Sequence, residues 1–174
     1  ESNVTFSNVS FINNESGSRG GAVNIYGDSD INGENIIFTG NYSTGSGSVM
    51  LIEGSSYSLM HILAYENSLA EVAFNFDYSM GTIMNSTFVN NEGHMPVIQF
   101  MEGENVLSNS IIRNNYQDFD HQEQNNDFGS VTVEYSNIEG LSNLGSESGD
   151  GNIDIDPLFC NPGENDFSLA ENSP

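Results

Sequence analysis

Residues 116–129, YQDFDHQEQNNDFG, bring Asp118, Asp120, His121, Glu123 and Asp127 into one short segment. Alternating Asp118 and Asp120, with the later carboxylates, could offer hard oxygen ligands to Ca²⁺, although the segment lacks the EF-hand spacing and its glycine. His121 could pair with Asp118 or Asp120 as an acid–base couple. No Ser or Cys nucleophile is set beside it by any motif. The plain alternative is a solvated polar loop. Two further acidic groups compete for calcium: Asp28 and Asp30 with Glu34, and Asp150, Asp154 and Asp156 in GDGNIDID. In the second group, capping of turns and backbone amides is the competing role. His61, His94 and His121 are far apart and Cys160 stands alone, so a zinc site has no support. The expected cofactor is none, or calcium.

Charge narrows the partners. The 174 residues carry 25 acidic and two basic side chains, Arg19 and Arg113, for a formal charge of −23. Nucleic acid and anionic membrane surfaces both need a positive footprint, which this chain lacks. No apolar run is long enough to span a bilayer. The chain opens without Met, so an absent signal peptide says little.

The elements that must hold these groups are written as a repeat. NVSFINN (8–14), NIIFTGN (35–41), HILAYEN (61–67), NSTFVNN (85–91) and NSIIRNN (109–115) share the form N-x-x-Φ-x-x-N. Their centres are Phe11, Phe38, Ala64, Phe88 and Ile112. The closing residue is always Asn: Asn14, Asn41, Asn67, Asn91 and Asn115. The leading residue is Asn8, Asn35, Asn85 or Asn109, with His61 as the one substitution. A second β-type run follows each phrase: AVNIY (22–26), SVMLI (48–52), EVAFNF (71–76), PVIQF (96–100) and VTVEY (131–135). Alternation dominates and helical periodicity is missing. A strand–turn repeat of about 25 residues suits one coil of a parallel β-helix. In such a stack the centres form an apolar column, and two Asn ladders per coil satisfy backbone groups at buried bends. The sequons at Asn3, Asn8, Asn14, Asn41 and Asn85 are then read as ladder positions or chance matches, not glycosylation sites.

FINN (11–14) followed by GGAV (20–23) resembles the FxxN and GGA[IVL] motifs of polymorphic outer-membrane-protein repeats, within the pectin-lyase-like right-handed parallel β-helices. The tail from Gly151 to Pro174 resembles the closing segment of secreted bacterial β-helix proteins. The resemblance implies a Cys directly after Pro174 that pairs with Cys160; a buried thiol is the rival reading. Enzymes of this group use Arg or Lys, or clustered Asp in NTD, DD and GHG motifs. This chain has no Lys and none of those motifs.

The expectation is an all-β, right-handed parallel β-helix of about five to six coils. It forms a single domain over 1–174, with repeat coils over 1–135 and a closing segment over 136–174, taken from a longer secreted or surface protein. Its expected function is a non-catalytic scaffold or adhesion surface. Expected partners are other domains of the parent chain, glycans met through exposed aromatics such as Tyr26, Tyr42, Tyr57 or Tyr78, or other surface proteins. The alternatives are a polysaccharide-active enzyme with its site near 116–129, and a calcium-dependent structural module.

Overall fold

Short runs of alternating apolar and polar residues, each closed by Gly, Asn or Ser, build strands that bury one face and turn before a helix can start. The computed structural model is a parallel β-solenoid of about five turns. It describes residues 2–69, 71–93, 95–115, 117–122, 129–140 and 149–174, with 69, 117–122 and 129 described by backbone alone. Among these residues, helix is confined to a 3₁₀ turn at Pro162–Glu164.

Three parallel sheets run along the axis. The first begins with the long strands Ser2–Ile12, Ser29–Thr39 and Ser56–Tyr65. From the fourth coil onward each is split in two, as at Met80–Met84 and Thr87–Val89. The second sheet is a column of two-residue strands from Glu15–Ser16 to Glu92–Gly93. The third stacks Val23–Tyr26, Met50–Glu53, Phe74–Asp77, Pro96–Met101 and Gln117–Gln122.

The register puts Phe11 on Phe38, then Ala64, Phe88, Ile112 and Ile138. The apolar column therefore continues one coil past the five repeated phrases. The one small member has a partner. Phe74, facing from the third sheet, stands edge-on to Phe38 at 5.3 Å and to Phe88 at 5.1 Å. It fills the volume that Ala64 leaves. Gly33 is similar: a Cβ there would lie 2.6 Å from Leu59 Cδ2 and 2.7 Å from Ile36 Cδ1.

The last coil departs from the expected alignment in two ways. VTVEY does not form the second strand of a coil, because Val131 pairs with Asn105 and Val133 with Leu107 in the first sheet. The position expected of it in the third sheet is taken by Gln117–Gln122, paired with Pro96–Met101. Residues 117–122 are thus strand rather than loop. Their polar composition, QDFDHQ, conceals this from a reading that depends on apolar alternation. Asn137–Ile138 then pairs with Ile111–Arg113, so the stack runs on through the 135/136 boundary.

Candidate functional site

What the repeated polar residues bond to decides what is left for a ligand. Asn14, Asn41, Asn67, Asn91 and Asn115 stand in one column. The Nδ2 of each of the first four donates to the Oδ1 of the next coil, at 2.8, 3.0, 2.9 and 2.9 Å along the row. Each Oδ1 also accepts from the backbone N–H of the preceding rung, as Asn67 Oδ1 does from Asn41 at 3.0 Å. The remaining amide protons go to carbonyls such as Phe38 and Ala64. Asn41, Asn67 and Asn91 are buried, and their amides are fully engaged.

The leading residues do not form a second buried ladder. Asn8, Asn35, His61, Asn85 and Asn109 are all exposed, with φ between 49° and 55°. Among them one amide bond is drawn, from Asn35 Nδ2 to Asn8 Oδ1 at 3.2 Å. His61 lies 3.8 Å from Glu34. The left-handed corner explains the Asn preference, since Asn tolerates φ > 0 better than most residues. Exposed sequon asparagines Asn8 and Asn85 follow from the same geometry, while exposed Asn3 lies in the extended strand Ser2–Ile12; Asn41 alone of the five is fully buried.

Serine takes the buried corner instead. Ser86 and Ser110 each follow a leading residue and Ser136 follows Tyr135, which holds the same left-handed corner at φ 50°; each Oγ donates to the carbonyl two residues back at 2.8–2.9 Å. The same oxygens accept the backbone N–H of Ile62, Ser86 and Ser110. Asn152 ends this column by accepting from Ser136 N at 3.0 Å. The signal was present in NST, NSI and YSN, but serine is too common to stand out.

The closing segment is tied down by the two groups the sequence marked there. Arg113 Nη1 donates to Asp154 Oδ1 at 2.8 Å and to Asn137 Oδ1 at 2.9 Å. Asp154 Oδ2 accepts Gly140 N, and Asp156 Oδ1 accepts Leu158 N. Asp150 is exposed and Asp154 and Asp156 are each committed to separate bonds, so these three are not brought together. The tail folds back as an antiparallel hairpin, Phe159–Asn161 with Asp166–Leu169. Phe167 packs against Tyr65 at 5.5 Å. Cys160, in that hairpin, is exposed and free rather than buried.

Of the proposed ligand segment, Asp118, Asp120 and His121 lie on the third sheet's terminal strand, with Asp120 opposite Gln99 and His121 opposite Phe100. Glu123 and Asp127 lie outside the described residues, as does His94. Among the described residues, no three His, Cys, Asp or Glu side chains converge as a metal site.

A different corner gathers charge and aromatic surface. Along the third sheet Tyr26, Glu53 and Asp77 are register partners, and the next residues are Gly27, Gly54 and Tyr78, then Glu102 one coil on. All four of these corner residues have positive φ. Arg19 lies 3.8 Å from Glu53. Burial, then Glu53 and Glu102, push the Asp77 carboxyl above its ordinary range, against the opposing pull of Arg19 and the Tyr78 N–H. The Glu102 carboxylate raises the Tyr78 phenol by its charge and by hydrogen bonding. Asp77 Oδ1 and Asn75 Oδ1 are buried and accept no bond among the described residues.

Beside this corner an open cleft of about 470 Å³ lies between the third and first sheets. Tyr78 and Met80 wall it, at 62% and 57% exposure, and Asp28, Asp30, Ser55 and Ser56 line the rest. Ser56 Oγ donates to Asp30 Oδ1. Tyr57, one of the aromatics expected at the surface, is instead 4% exposed. Its ring passes Gly81, where a Cβ would fall 2.7 Å from Tyr57 Cγ, and its hydroxyl donates to Asn105 Oδ1 two coils away at 2.5 Å. Burial raises that phenol far above its usual value.

No protein family matches the chain, nor does any curated protein or solved structure.

Proposed function

We propose that the chain is a non-catalytic extracellular or cell-surface module of the right-handed, pectin-lyase-like parallel β-helix type, a rigid scaffold and adhesion surface that contacts glycans. The Asn column carries this reading. The most regular polar feature of the sequence is spent on rung-to-rung bonds, so repetition serves rigidity rather than a reaction. What remains for a partner is exposed aromatic and hydroxyl surface, and the charge of −23 disfavours anionic partners. The test is to incubate the labelled chain with a glycan array and assay the same glycans for new reducing ends. Binding without cleavage is expected. Release of reducing ends would replace this reading with the polysaccharide-active enzyme.

The second reading, a calcium-dependent structural module, is favoured by one observation: two buried acceptors on the strand Phe74–Asp77, Asn75 Oδ1 and Asp77 Oδ1, accept no bond among the described residues, and Glu53 lies opposite Asp77. It requires a melting temperature raised by Ca²⁺, lowered by EDTA and made insensitive by Asp77→Asn. If the double change Asp118→Asn and Asp120→Asn abolished that shift instead, the ion would belong to the terminal strand.

A further inference from the structure

We propose that the cleft walled by Tyr78 and Met80 is a saccharide site that takes a pyranose glycan lacking acidic groups. This rests on the adhesion reading above and deepens it, by naming the site and the class of sugar.

The corner column of the third sheet changes character along its length. Its first two members are Gly27 and Gly54, and the third is Tyr78. A Cβ at Gly27 would meet nothing within 4 Å, and one at Gly54 would meet only Gly27 Cα at 4.0 Å. Two bare glycines therefore leave a step, and the Tyr78 side chain rises at its end. Tyr78 holds φ at 47°, a region costly for a bulky side chain. Gly occupies the same corner in the two preceding coils, so the fold does not demand an aromatic there.

The backbone that carries the platform is hydrogen-bonded to the neighbouring coils. Tyr78 N donates to Met101 O at 2.8 Å, and Met80 N to Ser55 O at 3.1 Å. Between them Ser79 is buried, its Oγ donating to Asp77 O at 2.8 Å. An aromatic ring and a thioether carried on this hydrogen-bonded backbone suit the C–H face of a pyranose, while hydroxyls and carboxylates suit its O–H groups. The volume falls within the range of small-ligand sites. The charge sets the class: Asp28 and Asp30 line the cleft, and Glu53, Asp77 and Glu102 stand at the adjoining corner, where Arg19 lies 3.8 Å from Glu53. Uronates and sulfated sugars are repelled, whereas hydroxyl or ammonium donors are accepted. By contrast, a cleft of about 460 Å³ over the second sheet is lined by Asn, Ser and Glu alone and offers no stacking surface.

The test titrates the 174-residue chain with three oligosaccharides of equal length: a neutral glucan, a glucosamine oligomer and an oligogalacturonate. Tyr78→Gly is the key variant, because Gly restores the residue of the preceding coils and relieves the left-handed strain. Its melting temperature should equal or exceed that of the wild type. Binding of the glucan or the glucosamine oligomer, weakened at least about tenfold in Tyr78→Gly, is the expected result. Asp30→Asn should weaken the glucosamine oligomer more than the glucan. Equal binding by the wild type and Tyr78→Gly would overturn the site while leaving glycan adhesion standing. Preference for oligogalacturonate would overturn the assignment of sugar class. Binding of none of the three would overturn both the site and the adhesion reading.

Discussion

Asn67→Ala tests whether the Asn column holds the coils together. Asn67 is 1% exposed and sits in the middle of the row. Its Oδ1 accepts both Asn41 N and Asn41 Nδ2 at 3.0 Å. Its Nδ2 donates to Asn91 Oδ1, Phe38 O and Tyr65 O at 2.9, 3.0 and 3.2 Å. Truncation strips the buried Asn41 N–H of its acceptor, a loss of about 1–3 kcal/mol, and removes the bond from Asn41 Nδ2 and the two that the Asn67 Nδ2 hydrogens share among three acceptors, each worth about 0.5–1.5 kcal/mol net. Some partners keep other bonds, since Asn41 Nδ2 still reaches Phe11 O, so the expected cost is about 3–6 kcal/mol rather than the full sum. Exposed Asn35, with one amide bond to Asn8 and φ at 55°, is the control and should cost about 1–2 kcal/mol when changed to Ala, mostly for the left-handed backbone. Urea unfolding followed by far-ultraviolet circular dichroism reads both. Asn67→Asp is the sharper variant: it preserves shape and an acceptor but loses the donors and buries a charge, so it should be no more stable than Asn67→Ala. A cost for Asn67→Ala below about 1 kcal/mol, or one equal to that of Asn35→Ala, would refute the ladder as the fold's main polar support.

Other expectations follow from single contacts. Tyr57→Phe should cost about 1–3 kcal/mol in urea unfolding, because Asn105 Oδ1 loses its donor inside the core. Gly81→Ala should fail more severely, since its Cβ would meet Tyr57 O at 2.0 Å. Phe74→Ala should cost about 3–5 kcal/mol through the cavity it opens between Phe38 and Phe88, and Ala64→Phe added to it should recover part of that. For Asp77 the folded carboxyl titrates above its unfolded value, so its ionised form opposes folding at neutral pH and the opposition is relieved as pH falls through the raised value. Asp77→Asn should therefore raise the melting temperature at pH 7 (that is, with the carboxyl ionised), by a margin that shrinks on acidification.

The architecture was legible because a solenoid repeats its physics. An apolar centre every 24 to 27 residues, followed three positions later by Asn, has few explanations other than stacked coils. The Asn column was visible for the same reason. What escaped reading was whatever departs from the repeat. Residues 117–122 pair as a strand although Phe119 is their only large apolar residue, and VTVEY imitates a third-sheet strand while pairing in the first. The leading Asn share their phrase with the buried ladder, yet backbone handedness, not burial, selects them. The Tyr78 cleft lay beyond sequence reading altogether, since it depends on which residues share a corner one and two coils apart.

The Asn column also bears on how such a chain can change. Each rung accepts from the coil before and donates to the coil after, in the same sense throughout, so no rung is specific to its neighbours. Duplication or loss of one unit of 24 residues, the spacing between Asn67 and Asn91, would present the same donor and acceptor at each new junction. The rod would lengthen or shorten by about 4.8 Å while the other rungs stay matched. Reach is therefore a quantity that recombination can tune in fixed steps, whereas the Tyr78 step, which needs two glycines behind it, travels only if three consecutive coils are kept together.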